Sequence, residues 1–184
     1  NALEMAVQPG NTAMVVLAHS GALLDSPLGA EVRLGELGTG RILISNGVMR
    51  VGGIMMMSQK TGGQSELLIQ HGSLAVGGRL TVGGSGVCVI HVAHPHALLT
   101  LGAGGMRIAD ASNNAAVVRS DINISNGTLR ALVGGLDHTA GSAGAHSLST
   151  GAINLEGGTL DLANGNLLLG NRSNTMGILS INAG

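Results

Sequence analysis

Apolar residues in this chain come in short bursts at every second position, and glycine closes each burst. In "HGSLAVGGRLTVGG" (71–84), Leu74 and Val76 flank Ala75, and Leu80 and Val82 flank Thr81, with a glycine pair after each triplet. Successive strand side chains point to opposite faces, so each triplet reads as a very short strand with one apolar face. The phrase recurs. "VMRVGGIMMM" (48–57) aligns with "SLAVGGRLTV" (73–82) without a gap, and "LTLGAGGMRI" (99–108) aligns with one extra residue. "TLRALVGG" (128–135) and "TLDLANGNLLLG" (159–170) follow with small insertions. Alternation sends Met49, Val51, Leu74, Val76, Leu160 and Leu162 to one side, and Arg50, Ala75 and Asp161 to the other.

A third element precedes each phrase: "MVVLAHSG" (14–21), "RILISNG" (41–47), "LLIQHG" (67–72), "VIHVAH" (89–94), "INISNG" (122–127), "INLEGG" (153–158) and "LSINAG" (179–184). The closing glycines fall 26 residues apart from 21 to 47, 25 from 47 to 72, 31 from 127 to 158 and 26 from 158 to 184. One such unit cannot bury its apolar face, whereas stacked units bury a continuous core. The expected fold is therefore all-β: a right-handed parallel β-helix of about 6–7 coils of roughly 22–33 residues, three short strands per coil. Residues 1–184 form one solenoid segment, less regular over 1–40, with loop insertions at 109–120 and 134–150. Glycines at the bends are expected to supply positive φ. Asn46-Gly47, Asn126-Gly127 and Asn164-Gly165 are expected at equivalent corners, Asn being the next most tolerant residue. The chain stops at "SINAG", inside the recurring pattern, and is expected to be a segment of a longer polypeptide.

Composition narrows the options. Phe, Tyr and Trp are absent, Gly is 32 of 184, charged residues are 10% and apolar residues 44%. Disorder needs low hydrophobicity with high net charge, the reverse of this chain. A narrow column filled by stacked aliphatic side chains accounts for much of the missing aromatic content. Net charge is −1, and the few cations are scattered, so the basic footprint and stacking aromatics of a nucleic-acid binder are lacking. No apolar run approaches the length of a transmembrane helix. Cys88, the single cysteine, has no internal partner.

The stretch "INLEGGTLDLANGNLLLGN" (153–171), together with "LLIQHGSLAVGGRLTVGG" (67–84), resembles the autotransporter-associated β-strand repeats of bacterial surface and secreted proteins. The resemblance covers 41–108 and 122–184, and 1–40 loosely. It implies a passenger-like, extracellular β-helical scaffold without chemistry of its own. The absence of aromatics and the eight methionines depart from that pattern.

Candidate sites are sparse. "HVAHPH" places His91, His94 and His96 close in sequence, and imidazole is the commonest metal ligand. Strand alternation separates His91 from His94, so only a bend at Pro95 would gather the three. His19, Asn46, His71, His94 and Asn126 share a position just before a turn, which reads as a corner ladder of stacked side chains or as a polar line open to a ligand. In Met55-Met56-Met57, the outer two methionines read as core. The insertions carry Asp110, Asn113, Asn114, Asp137, His138 and His146, small polar groups suited to a surface glycan or a host or cell-surface protein. No aligned pair of carboxylates marks a polysaccharide lyase or glycoside hydrolase, and no nucleophile elbow, Walker loop or HExxH motif occurs. The expectation is a non-catalytic presentation segment without a cofactor, adhesin- or passenger-like, on a bacterial surface. The alternatives are a fibre subunit associating end to end, and a carbohydrate-active enzyme.

Overall fold

A computed structural model of the protein describes residues 2–110, 117–137, 148–170 and 175–182. It contains twenty strands and no helix among these residues. In chain order they are β1 (Ala2–Met5), β2 (Thr12–Leu17), β3 (Ala22–Ser26), β4 (Glu31–Leu34), β5 (Thr39–Ile44), β6 (Gly47–Val51), β7 (Met55–Met57), β8 (Gln64–Ile69), β9 (Ser73–Val76) and β10 (Leu80–Val82). They continue with β11 (Val87–Val92), β12 (Leu98–Leu101), β13 (Met106–Ile108), β14 (Val117–Ile124), β15 (Thr128–Ala131), β16 (Leu136–Asp137), β17 (Leu148–Glu156), β18 (Thr159–Asp161), β19 (Leu167–Leu168) and β20 (Thr175–Asn182).

Every third strand joins the same sheet. Sheet 1 runs β1-β4-β7-β10-β13-β16-β19, sheet 2 runs β2-β5-β8-β11-β14-β17-β20, and sheet 3 runs β3-β6-β9-β12-β15-β18. All pairs are parallel, and the chain winds as a three-sided β-solenoid of about six turns. The gapless alignment of 48–57 with 73–82 is the observed register: Met49 pairs with Leu74, Val51 with Val76, Met55 with Leu80 and Met57 with Val82. The extra residue in 99–108 falls in the turn, since Leu99 pairs with Leu74 and Met106 with Leu80.

This register builds columns of side chains inside the solenoid. Val32, Met55, Leu80, Met106 and Leu136 stack along sheet 1. Ile42, Leu67, Ile90, Ile122 and Ile153 stack along sheet 2, and Met49, Leu74, Leu99 and Leu129 along sheet 3. These residues are at most 1% exposed. Burying one such side chain stabilises by roughly 1.5–3 kcal/mol. Met55 and Met57 are in the core, and Met56 and Ile54 are half-buried on the outside, as alternation requires.

The corners meet the expectation in part: glycines supply positive φ at bends such as Gly105 and Gly157, but residues other than glycine do so too. Left-handed backbone occurs directly after the sheet 1 strands, at Ala6, Gly35, Ser58, Gly83 and Ala109. Three of these five are not glycine. The pairs Gly52-Gly53 and Gly77-Gly78 have ordinary φ. They are needed because neighbouring coils approach closely: a Cβ at Gly78 would lie 2.5 Å from the Gly53 carbonyl oxygen. Asn46, Asn126 and Asn164 also keep ordinary φ. Asn46 and Asn126 stand between sheets 2 and 3, but Asn164-Gly165 stands between β18 and β19, a different corner.

The left-handed corner carries a buried hydroxyl spine. Ser65 Oγ donates to Leu34 O at 2.6 Å, Ser120 Oγ to Val82 O at 2.9 Å and Ser149 Oγ to Ala109 O at 2.6 Å. Ser58 Oγ contacts Ser65 Oγ at 2.8 Å and Val87 O at 2.7 Å. The hydroxyls of Ser65, Ser120 and Ser149 each satisfy a buried carbonyl at or just past the end of a sheet 1 strand. Cys88, between Ser65 and Ser120 in register, is fully buried with Sγ 3.9 Å from Met57 Sδ.

Candidate functional site: the histidine corner

Five of the seven sheet 2 strands end in a buried aliphatic residue, and the second residue beyond it turns outward. After Leu17, Ile44, Ile69, Val92 and Ile124, those residues are His19, Asn46, His71, His94 and Asn126. The five therefore form one line up the corner between sheets 2 and 3. Glycine or alanine follows nearby because the turn folds back over the strand. A Cβ at Gly127 would lie 2.5 Å from Val92 Cγ1, and one at Gly72 would lie 2.5 Å from Ile44 Cγ2.

Within this line the imidazoles of His71 and His94 stack with centroids 3.6 Å apart, tilted by 37°. His96 lies 5.4 Å from His94, ring to ring. His94 Nδ1 accepts the backbone N–H of His96 at 3.2 Å, and His19 Nδ1 accepts that of Gly21 at 3.1 Å. These two histidines close their turns as an Asn or Asp side chain does in an Asx turn. Desolvation, then the neighbouring His71 and His96 rings, hold His94 below the ordinary imidazole pKa.

The sequence placed His91, His94 and His96 together. The structure keeps His94 and His96 together and sets His91 apart. His91 faces outward from β11, with Nδ1 3.5 Å from Asn123 Nδ2, and Asn154 Nδ2 donates to Asn123 Oδ1 at 2.8 Å. His71 takes its place beside His94. The signal was present in the repeat, because His71 and His94 are both second after their strands. No group of three His, Cys, Asp or Glu among the described residues is placed to hold a metal ion.

The insertion residues divide similarly. Asp110 was expected on a loop, but it is 7% exposed and pairs with Arg107 at 3.4 Å. Asp137 lies half-buried in β16. Asn113, Asn114, His138 and His146 lie outside the described residues. Val117–Ser120 and Leu148–Thr150, at the ends of the expected insertions, are in β14 and β17. Both insertions fall on the sheet 1 to sheet 2 connection, in consecutive coils.

Outward charges are matched between and along rungs. Arg33 contacts Glu31 at 2.8 Å and Glu4 at 3.6 Å, and Arg41 contacts Glu66 at 3.1 Å. Lys60 contacts Glu36 at 2.7 Å, Arg119 contacts Asp121 at 2.9 Å, and Arg130 contacts Asp161 at 2.8 Å. Comparison with family models, curated proteins and solved structures finds no match to this chain.

Proposed function

We propose that the chain is a non-catalytic scaffold segment that spaces and presents other surfaces, of the kind found in secreted or cell-surface bacterial adhesins and passengers. One observation carries this reading. Seven of the ten carboxylates (Glu4, Glu31, Glu36, Glu66, Asp110, Asp121 and Asp161) are ion-paired with arginine or lysine. Acid–base hydrolysis of a glycan needs two carboxyl groups facing the bond to be cut, with their proton affinities driven apart. Here most of the acids are held by a neighbouring cation. The sides of a stacked column offer long reach from few residue types, and both expected insertions fall on the sheet 1 to sheet 2 connection. The test is incubation of the chain with a polysaccharide panel, followed by reducing-end and unsaturated-product assays, alongside binding to the same glycans and to cell surfaces. The scaffold reading expects no release of product and saturable binding at most. Turnover abolished by a single carboxylate substitution would replace it with the enzyme reading.

A further inference from the structure

Beside the stacked histidines, the turns of successive coils enclose a shallow hollow. Ser20, Asn46, His71, Ser73 and His96 supply its polar walls, and no carboxylate lines it. Hydroxyls, an amide and imidazoles are all able to donate. His94 stands next to both flanking rings. The rings of His71 and His96 both lower the proton affinity of His94, and Asn46 and Asn126, on the turns flanking the His71–His94 pair, are neutral.

A cation fits this place poorly. Because His94 Nδ1 accepts a backbone N–H, its neutral ring carries the proton on Nε2 and presents no free lone pair. Protonation changes the balance in the other direction. Protonation here places positive charge on rings only a few ångströms apart. Like charges at that spacing repel unless a counter-charge sits between them.

We propose that this hollow is a binding site for a tetrahedral oxyanion of the sulfate or phosphate class, taken up when His71 and His96 are protonated. The hydroxyls of Ser20 and Ser73 and the Asn46 amide donate to its oxygens, and the two imidazolium groups supply the charge. The same group is presented by a free ion or by a sulfated glycan.

The test is calorimetric titration of the whole chain with sodium sulfate at pH 5.5 and 7.5, at ionic strength matched with sodium chloride. The expected result is binding at pH 5.5 that is about tenfold or more tighter than at pH 7.5. His71→Gln and His96→Gln abolish it, while His91→Gln, on the outer face of sheet 2, leaves it intact. Thermal melts of all variants at pH 7.5 report that they fold. A sulfated oligosaccharide that competes with sulfate, where its unsulfated counterpart does not, assigns the group to a glycan; failure to compete assigns it to the free ion. Sulfate binding that is absent at pH 5.5, equal at both pH values or retained in either His71→Gln or His96→Gln would overturn the proposal. So would zinc binding at pH 7.5 that the same variants abolish.

Discussion

The hydroxyl of Ser120 occupies the space a side chain at Gly83 would need. Gly83 has φ of +69°, and a Cβ built there would run into Ser120 Oγ, with Ser120 Cβ next at 3.4 Å. Gly35, the equivalent residue two coils earlier, meets both Ser65 Oγ and the backbone carbonyl of Gln64.

The two glycines should therefore respond differently to a second substitution. Gly83→Ala is expected to cost about 1–2 kcal/mol for left-handed backbone, plus the clash. Ser120→Ala removes the obstructing oxygen, so the double variant should be less destabilised than the two single effects summed. Gly35→Ala should show no such relief with Ser65→Ala, because backbone blocks it. Urea denaturation of the two double-mutant cycles decides this, and equal coupling in both would refute the geometry.

Core columns should tolerate shape but not loss. Leu74→Ala is expected to cost about 2–5 kcal/mol, and Met49→Leu less than about 1.5 kcal/mol. Leu28 is 91% exposed, and Leu28→Ser should stay within about 0.5 kcal/mol of the parent. Chemical denaturation midpoints measure all three.

Cys88 should be chemically silent in the folded protein. Burial pushes its thiol well above the ordinary range, and it is the thiolate that reacts. Labelling with a thiol reagent should proceed at the rate of unfolding and should be complete in denaturant. Rapid native labelling would place Cys88 at a surface instead.

Acid should loosen the histidine corner. The folded protein holds His94 below its ordinary pKa, so the unfolded chain binds the proton more readily. Stability is thus full above the ordinary imidazole range and falls as pH drops through it. Asp161 works in the same direction at lower pH. The Ala163 N–H and then Arg130 hold its carboxyl below the usual value, so its contribution is lost as pH falls through that lowered pKa. Melting curves from pH 8 to pH 3 should show the first loss diminished in His94→Asn, which keeps a turn-closing acceptor and cannot charge. A loss unchanged in that variant would place the titration elsewhere.

Much of the coil was legible because the repeat conserves spacing. Met49 over Leu74 and Met55 over Leu80 follow from two phrases of equal length, and the core face follows from alternation. The first coil was harder to read. "ALEM" and "EVRL" are β1 and β4, yet Glu4, Glu31 and Arg33 interrupt their apolar character with outward ion pairs. The left-handed corner was legible only where glycine marks it, at Gly35 and Gly83. Ala6, Ser58 and Ala109 carry no chemical mark of positive φ, since the strain is imposed by the rungs above and below rather than by the residue. The histidine corner was half legible. Nearness in "HVAHPH" suggested His91, whereas the repeat alignment put His71 in line with His94, and those two rings stack.

Because Ser73 stands where Val48 stood one coil before, the chain has natural cut points. Removing the block from Val48 to Gly72 would join Gly47 to Ser73 without disturbing the path of the backbone on either side. Length in this protein is a countable quantity, added or lost in whole turns. A gene encoding it can drift in size by unequal exchange between coils and still yield a folded product, while a gain or loss of one residue within a strand turns its apolar face toward water.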